Sequence, residues 1–366
     1  MNDQGYIARA LELARCGLFS THPNPRVGCV IVRDGQIVGE GWHVRAGEPH
    51  AEVHALRQAG ELARGATAYV TLEPCSHFGR TPPCAEALVE AGVTRVVAAM
   101  QDPNPQVAGR GLERLRSAGI EVSSGVLEAE ARELNIGFIK RMETGMPYVR
   151  VKLAMSLDGR TAMASGESQW ITGPAARAAV QRLRARSSLV ITGADTVLMD
   201  QARLTVRPEE LGVSPEQAAL AQGRPPLRVL IDGRGRVPLS VPFFQASPAM
   251  VVTALEPSTD YAAAGHECLR LPGQHERVDL HALLRRLAER GANEVLVEAG
   301  PQLAGAFAQQ GLVDEFQIFM AGKFLGSNAR PLLDWPLERM ADAPALRIRD
   351  IRAVGEDWRI IATPAR

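Results

Sequence analysis

Three residues in the first hundred are of types that bind zinc: His50, Cys75 and Cys84. One imidazole and two thiolates make three protein ligands, which leaves the fourth position of a tetrahedral zinc ion open for water. Zinc held in this way makes that water a nucleophile near neutral pH. Glu52 lies two residues after the histidine and has the acid–base group that such a reaction needs. These residues therefore predict a catalytic zinc site.

The order of these residues is typical of one reaction class. Each cysteine follows a proline, and His-x-Glu followed by Pro-Cys and Cys is the pattern of zinc-dependent nucleobase deaminases. The eight residues between Cys75 and Cys84 are more than the usual two, so Cys84 is alternatively a small buried residue of an Ala-rich helix. A helix over 84–91 would start at Cys84 and favour its thiolate. Since His50 opens a second helix over 51–59, we expect two helix starts to converge on the zinc ion.

Other polar residues near this motif need separate interpretations. His54 lies four residues after His50, but a metalloprotease would have Glu directly after the first histidine, where this chain has Ala51. We therefore interpret His54 as a packing residue of the helix. His77 and Arg80 lie between the two cysteines. We expect them in a loop near the substrate, with Arg80 able to bind a phosphate.

The composition indicates a two-domain protein whose overall charge does not favour wrapping by nucleic acid, although a local basic patch stays open. The chain has 366 residues, 46% of them hydrophobic, which is enough for two cores. Lys plus Arg and Asp plus Glu each number 41, so the formal net charge is zero. Cys16, Cys29 and Cys268 show no paired spacing and are interpreted as reduced thiols. Without a secretory segment or an apolar run of about twenty residues, the sequence predicts a cytoplasmic protein that does not bind a membrane.

Alternating strand and helix patterns predict a three-layer α/β domain in the first half of the chain. The β-rich runs 27–33 and 36–42 flank Asp34-Gly35, a dipeptide typical of a hairpin turn. The elements expected next are helix 51–59, strand 67–72, helix 84–91, strand 95–100, helix 111–118 and strand 120–122. One long helix is expected over 127–143, and Gly145-Met146-Pro147 should end it. We therefore place two domains at 1–145 and 146–366.

The second half repeats the alternation and again predicts an α/β fold. We expect strands at 148–155, 188–191, 227–231, 250–253, 294–297, 314–321 and 358–363, and helices at 175–185, 278–290 and 303–309. The segment 207–226 is rich in Pro, Glu, Ala and Gly and is expected to be a surface excursion.

Two further segments have features of ligand sites. After strand 294–297 the chain runs through Glu298 and Gly300 into a helix, whose first backbone amides suit a phosphate or pyrophosphate. Many such corners bind nothing, but a buried Glu298 without a polar partner would be costly. Asn24, which precedes Pro25, is either a turn residue or a ligand contact, and its spacing leaves both interpretations open.

Together these motifs resemble the bacterial bifunctional riboflavin-biosynthesis deaminase-reductases over essentially the whole chain. The matching segments are His22–Gly28, His50–Glu52, Leu72–Cys84, Gln101–Gly111, Lys152–Gly159, Ser165–Thr172, Leu204–Arg207 and Glu298–Gly300. The wide separation of the two cysteines is the form that this family uses. The segments are long, so the resemblance is specific.

The resemblance implies a fold and two consecutive reactions. A cytidine-deaminase-like domain, zinc-dependent, would be followed by a dihydrofolate-reductase-like domain that uses NADPH. A diamino-(phosphoribosylamino)pyrimidinone would first lose its 2-amino group as ammonia. NADPH would then reduce the ribosyl group of the product to a ribityl chain. A homo-oligomer, either a dimer or a tetramer, is also implied.

The resemblance further implies the residues of the reductase site. Lys152 would assist catalysis near the reacting sugar. The implied cofactor contacts are Ala154, Trp170, Thr196, Asp200, Gly300, Pro301, Gln302 and Leu303. The implied contacts with the reductase substrate are Ser168, Arg184, Leu204, Arg207 and Glu298. Asn24, His77 and Arg80 are expected to contact a substrate from their own types and positions in the chain. After Asp200 the chain has Gln201-Ala202 instead of the family's frequent Asp-Pro, which leaves the geometry of that loop open.

Two other classes of protein remain as alternatives. A tRNA adenosine deaminase with an appended domain would share the zinc pattern, and retention on tRNA in modest salt would support it; the neutral charge argues against it. A zinc-stabilised binding module would unfold when zinc is removed, but it would have no catalytic activity with or without zinc. Such a structural site normally has four protein ligands, and Glu52 would then have no role.

Overall fold

Strands and helices alternate along both halves of the chain, as the sequence predicts. The structure, a computed structural model, describes residues 1–76 and 83–365. The chain divides into two compact units, Met1–Met146 and Pro147–Arg366. Gly145, in the left-handed conformation at φ 69°, ends the last helix of the first unit. Within the described ranges, no helix is long and apolar enough to cross a membrane.

The first unit is a three-layer sandwich around a five-stranded sheet. Its helices are α1 (Asp3–Cys16), α2 (Ala51–Ala59), α3 (Cys84–Ala91), α4 (Arg110–Ser117), α5 (Glu128–Leu134) and α6 (Ile136–Thr144). Its strands are β1 (Gly28–Arg33), β2 (Gln36–Trp42), β3 (Thr67–Val70), β4 (Arg95–Ala98) and β5 (Glu121–Ser124), in the order β2-β1-β3-β4-β5. One face of the sheet packs against α2, α3 and α4, and the other against α1, α5 and α6.

Local patterns predicted the hairpin correctly but missed a break in one helix. Asp34 and Gly35 both have positive φ, and Arg33 pairs with Gln36, so the predicted two-residue turn is confirmed. The single helix expected over 127–143 is wrong, because Asn135 separates α5 from α6. The Asn135 side chain bonds both backbone groups of Arg26, accepting from its N–H at 2.8 Å and donating to its carbonyl at 2.9 Å. This contact with a distant segment outweighs the local helical pattern.

Glycines let helix α2 lie directly on the sheet. A Cβ on Gly39 would lie 2.2 Å from the carbonyl oxygen of Ala55, and one on Gly41 would lie 2.4 Å from that of Ala51. The helix backbone therefore touches the strand backbone with no side chain between them. Because His50 caps this helix and Glu52 lies in its first turn, the contact also sets the height of both side chains above the sheet.

The second unit is built on a nine-stranded sheet. Its strands are β6 (Tyr148–Ser156), β7 (Arg160–Ala162), β8 (Leu189–Gly193), β9 (Leu227–Ile231), β10 (Met250–Thr253), β11 (Glu267–Arg270), β12 (Glu294–Glu298), β13 (Glu315–Ala321), β14 (Arg330–Pro331), β15 (Leu346–Val354) and β16 (Asp357–Pro364). The large sheet has the order β11-β10-β9-β8-β12-β6-β13-β16-β15. The first seven strands in that order are parallel, and β16 and β15 close one edge antiparallel.

The helices of the second unit connect the parallel strands. They are α7 (Pro174–Arg186), α8 (Ala194–Asp200), α9 (Pro215–Gln222), α10 (Pro242–Ala246), α11 (Leu280–Glu289) and α12 (Pro301–Gln309). The segment 207–226, expected as a surface excursion, contains α9 and buries Leu211 and Ala221. Because β6, β8 and β12 are adjacent and parallel, the residues that follow their carboxyl ends meet at one edge of the sheet.

The contact between α2 and β2 generates a stability prediction. Gly41→Ala must push α2 away from the sheet, so we expect the free energy of unfolding of the first unit to fall by about 1–3 kcal/mol. Scanning calorimetry of the whole chain measures the change. Gly322→Ala is the control, because a Cβ there meets nothing within 4 Å. Equal melting temperatures for the two variants would contradict the close contact.

Candidate active sites

The three predicted zinc ligands converge in the first unit. His50 is the residue before α2, Cys84 is the first residue of α3, and Cys75 lies in the loop after β3. The His50 Nδ1 lies 3.3 Å from the Cys84 Sγ and 3.7 Å from the Cys75 Sγ, and all three ligand atoms lie within 4.8 Å of one another. Ligands of one tetrahedral zinc ion lie about 3.3–3.8 Å apart, given zinc–sulfur and zinc–nitrogen bonds of about 2.3 and 2.0 Å. The residues present therefore fit a zinc ion.

The electrostatics of the thiol pair favour a cation. A hydrogen bond from the Cys84 thiol, with a second from His50, holds the pKa of Cys75 well below its ordinary value. The same hydrogen bond and burial raise the pKa of Cys84 far above its ordinary value, because a second thiolate beside the first would be repelled. Hydrogen bonding to Cys75 raises the pKa of His50. A divalent cation between the sulfurs removes this conflict and lets both ionise.

Glu52 has the environment of a proton carrier. Its side chain is 3% exposed, and its Oε2 has no hydrogen-bond partner among the described residues. Burial raises the pKa of the carboxyl. His50 and Cys84 both interact electrostatically with this group, so it lies beside the ligands. A buried carboxyl with one oxygen that has no partner among the described residues is suited, at this point, to taking up a proton and returning it.

His43 is a polar residue of this centre that the sequence analysis missed. Its ring packs edge-on against His50 with 5.2 Å between centroids, and its Nδ1 lies 3.2 Å from the Pro49 carbonyl oxygen. A carbonyl only accepts, so Nδ1 carries the proton, and Nε2 accepts from the Asn24 amide at 3.0 Å. Burial lowers the pKa of His43, which agrees with a neutral ring. The Oδ1 of Asn24 is thereby left as an acceptor for a ligand.

Glu73 is a second residue whose role the sequence did not reveal. Its carboxylate accepts four backbone N–H groups of the segment after β4, at 2.8–3.3 Å, from Asp102, Gly109, Gly111 and Leu112. Glu73 lies two residues before Cys75. These bonds therefore hold the loop that contains Cys75 against the segment after β4. The only local signal was the adjacency of Glu73 to Pro74-Cys75.

The remaining predicted residues of the first unit have different outcomes. His54 lies on α2 but is not among the residues whose ligand atoms converge, and its Nε2 has no partner in the described part of the chain. His77 and Arg80 lie outside the described residues, so their roles remain predictions.

A buried ionic group lies at the carboxyl ends of the central strands of the second unit. The Arg184 guanidinium donates to both oxygens of Glu298, from Nε at 2.6 Å and from Nη2 at 2.9 Å. Burial by itself would raise the pKa of the Glu298 carboxyl. The charge and hydrogen bonds of Arg184 lower it by more, so the pKa of Glu298 lies below its ordinary value. Lys152 is directly beside Glu298 in the parallel register of β6 and β12. Burial lowers the pKa of Lys152, which makes its ammonium a better proton donor.

Hydrogen bonds join several of the predicted cofactor and substrate residues. The Ser168 hydroxyl donates to Asp200, the last residue of α8, at 2.7 Å. Ser168, a predicted substrate contact, therefore lies beside Asp200, a predicted cofactor contact. The Gly300 N–H donates to the Thr196 hydroxyl at 3.3 Å, at the start of α12, where Pro301, Gln302 and Leu303 form the first turn.

The outer residues of this group are less enclosed. Ala154 is held by a hydrogen bond from Thr161 to its carbonyl at 3.0 Å. Trp170 is exposed, and the Arg177 guanidinium stacks 4.7 Å from its ring centroid. An exposed indole with a cation on one face offers its other face to a planar group.

The loop after α8 contains two residues in the left-handed conformation. Gln201 has φ 51° and Leu204 has φ 55°. Leu204 is 4% exposed, side chain and backbone together, and its side chain packs in the core of the unit, so a contact of Leu204 with a ligand would use its backbone. Arg207 is half-exposed, and its guanidinium pairs with Glu210 at 2.7 Å.

Both halves of the chain match family models. Residues 147–360 match the RibD C-terminal domain, and residues 1–100 match the cytidine and deoxycytidylate deaminase zinc-binding region. The riboflavin biosynthesis protein RibD of Escherichia coli K12 is 56% identical over 98% of this chain and 98% of its own. The protein of the same name from Haemophilus influenzae is 50% identical over 98% of this chain and 96% of its own.

Solved structures agree with this match. RibD of Acinetobacter baumannii, form 1, is 49% identical, with a TM-score of 0.91 over 100% of this chain and 99% of its own. A diaminohydroxyphosphoribosylaminopyrimidine deaminase/5-amino-6-(5-phosphoribosylamino)uracil reductase from Thermotoga maritima is 34% identical, with a TM-score of 0.86 over 99% of each chain. These matches confirm the predicted cytidine-deaminase-like and dihydrofolate-reductase-like folds.

The matches also confirm the predicted activities. The chain is an enzyme of riboflavin biosynthesis with a deaminase and a reductase activity, and its cofactors are Zn2+ and NADPH. The tRNA-deaminase and binding-module alternatives are therefore set aside. With relatives of this identity aligned over nearly its whole length, the chain belongs to the RibD family of bifunctional riboflavin-biosynthesis deaminase-reductases.

Proposed function

We propose that residues 1–145 carry the deaminase site and residues 146–366 the reductase site. The convergence of His50, Cys75 and Cys84 beside a buried carboxyl is the observation that carries this assignment for the first unit. The match of residues 147–360 to the RibD C-terminal domain supports it for the second.

In the first unit, we assign His50, Cys75 and Cys84 as the zinc ligands and Glu52 as the general acid–base. The zinc ion supplies an activated water. Glu52 takes a proton from the reacting water and delivers it to the leaving amine, and its raised pKa suits both steps. Asn24, held by His43, accepts a hydrogen bond from the substrate through Oδ1. His77 and Arg80 contact the substrate, with Arg80 paired to its phosphate.

In the second unit, we assign Lys152 as the residue that assists the reduction. NADPH supplies the hydride. Lys152 delivers a proton to the sugar oxygen, because its buried ammonium has a lowered pKa and lies beside Glu298. The Arg184–Glu298 pair holds this edge of the sheet rigid and orients the substrate.

The remaining assignments divide between the two ligands. The proposed NADPH contacts are Ala154, Trp170, Thr196, Asp200, Gly300, Pro301, Gln302 and Leu303. The proposed substrate contacts are Ser168, Arg184, Leu204, Arg207 and Glu298. The bonds Ser168–Asp200 and Thr196–Gly300 support a common pocket, since they join residues from separate segments.

The same proposal includes a homo-oligomer, a dimer or a tetramer, in the cytoplasm. Edge strand β15 and its neighbour β16 expose Leu346, Ile348, Ile351 and Trp358, an apolar surface suited to a second copy. All five cysteines lie in the described part of the chain and are free, which agrees with a reducing compartment.

Separate assays of the two reactions test the division of sites. Glu52→Gln keeps the shape of the side chain but removes the base. Ammonia release from the diaminopyrimidinone phosphate should fall by at least about two orders of magnitude. Zinc content, and NADPH oxidation with the deaminated substrate, should match the wild type. Near-normal ammonia release would exclude the role of Glu52, and a parallel loss of both activities would contradict separate sites.

Cys84→Ser is the companion variant in this experiment. Because it removes a ligand and keeps the acid–base group, we expect it to lose zinc as well as deamination and to keep the reductase. Full zinc occupancy in purified Cys84→Ser protein would contradict Cys84 as a ligand.

The assignment of Arg207 makes a prediction for the reductase. A guanidinium meets two phosphate oxygens with paired hydrogen bonds that an ammonium cannot reproduce. Arg207→Lys should raise the KM for the pyrimidine substrate about tenfold and leave the KM for NADPH unchanged. Arg290→Lys is the control, since Arg290 is similarly exposed and pairs with Glu267. A higher KM for NADPH alone would move Arg207 to the cofactor site.

A further inference from the structure

Arg228 on β9 is a buried cation bound by neutral oxygens. The residue is 2% exposed, and among the described residues its hydrogen bonds go to carbonyl and hydroxyl oxygens and to no carboxylate. Its Nη1 donates to the carbonyls of Phe243 at 2.5 Å and Arg203 at 3.1 Å. Its Nε donates to the Ser247 hydroxyl at 3.1 Å, and its Nη2 donates to the Ser247 carbonyl. A buried guanidinium without a counter-ion is costly, so this arrangement calls for an explanation.

Packing alone does not account for Arg228. An apolar side chain would fill the space between β9 and the Phe243 ring, which lies 4.5 Å from the guanidinium carbon. Burial lowers the pKa of Arg228 to about 10, so the group stays charged at neutral pH. What an apolar side chain could not do is donate to the Arg203 carbonyl. That bond connects the sheet to the loop that carries Leu204 and Arg207.

Buried side chains hold alternate residues of this loop. Arg228 donates to the Arg203 carbonyl, and Arg184 donates to the Thr205 carbonyl at 3.0 Å. The N–H of Arg207 donates to the Gln181 amide oxygen at 3.1 Å. Both guanidinium groups therefore bind carbonyl oxygens of the loop and fix the planes of the peptides that contain them.

A fixed carbonyl also fixes the N–H of the same peptide. In a planar trans peptide the two groups point in opposite directions. The N–H of Leu204 therefore points to the side opposite the Arg228 guanidinium, and the N–H of Val206 to the side opposite the Arg184 guanidinium. Neither N–H donates to an acceptor in the described part of the chain. The positive φ of Leu204 is a conformation that a leucine keeps only when its surroundings impose it.

We propose that Arg228 is a positioning residue of the reductase, which holds the Arg203–Leu204 peptide so that the Leu204 N–H donates to an oxygen of the substrate. This inference rests on the proposed reductase site and goes beyond it in two respects. It gives a role to a residue that does not itself touch the ligand. It also assigns the Leu204 contact to the backbone N–H, because the Leu204 side chain packs in the core of the unit.

The test compares Arg228→Met and Arg228→Lys with Arg224→Met. Arg224 is the control because it also donates from its guanidinium to a carbonyl, that of Ser187, outside this loop. The measurements are kcat, the KM for the deaminated substrate, the KM for NADPH and ammonia release. Arg228→Met should raise the substrate KM about tenfold, the loss of one well-placed hydrogen bond, and leave the KM for NADPH within twofold. The ammonium of Arg228→Lys can reach only some of the oxygens that the guanidinium binds. This variant should therefore raise the substrate KM about threefold.

The outcomes separate this inference from the proposed function. An unchanged substrate KM in both Arg228 variants, or equal increases for substrate and NADPH, would overturn the positioning role. If Arg207→Lys raises the substrate KM while neither Arg228 variant does, the proposed site stands and only the inference fails. A wild-type enzyme without NADPH-dependent reduction would refute the proposed site itself. The KM for NADPH reports whether the second unit of each variant is intact, and ammonia release reports the same for the first unit. If Arg228→Met does not fold, Arg228→Lys provides the test.

Discussion

The direct backbone contact between α2 and β2 is the constraint on which the first site depends. With no side chain at Gly39 or Gly41, the helix lies as low on the sheet as its own carbonyls allow. The contact thereby positions the N-terminal end of α2 beside the first residue of α3. The His50 Nδ1 lies 3.3 Å from the Cys84 Sγ. A zinc site tolerates little error in ligand position, and the contact of α2 with the sheet provides the precision for His50, while Cys75 lies in the loop that Glu73 holds.

In the second unit, strand pairing and a buried ion pair place polar groups at the ends of the parallel strands. Neighbouring strands put Lys152 beside Glu298, and the bidentate pair with Arg184 makes it possible to bury that carboxylate. Such a buried pair adds little net stability, because desolvation offsets the attraction between the charges. Its contribution is to keep the carboxylate ionised and its direction fixed. Arg228 extends the same principle to a backbone segment.

Short motifs in the sequence indicated which chemical groups are present, but they did not indicate where most of those groups lie in the fold. The proposed zinc ligands and Glu52 could be named from the sequence because residue type and order alone indicate them. The limits of α3 and the turn at Asp34-Gly35 were equally clear, since both depend on local conformational preferences. The break at Asn135 was not, because it results from bonds to Arg26, 109 residues away along the chain.

The same reason explains the residues that the sequence analysis overlooked. His43 meets Asn24 across 19 residues, and Glu73 collects amides from a segment about 30–40 residues further on. No periodicity links such partners. The Leu204–Arg207 motif was found, but the sequence could not show that the leucine side chain belongs to the core of the unit.

The shared proton of the two zinc-site thiols has a consequence for metal exchange. Cys75 ionises readily, while Cys84 retains its proton as long as no cation lies between the sulfurs. Loading the site therefore releases that proton to the solvent, and the metal competes with hydrogen ions for the same sulfur. Apparent zinc affinity should then weaken by about tenfold for each unit of acidification through the Cys84 thiol alone, and more steeply where His50, whose pKa is raised, also holds a proton. Acidic medium becomes a means of removing the metal, and neutralisation a means of restoring it.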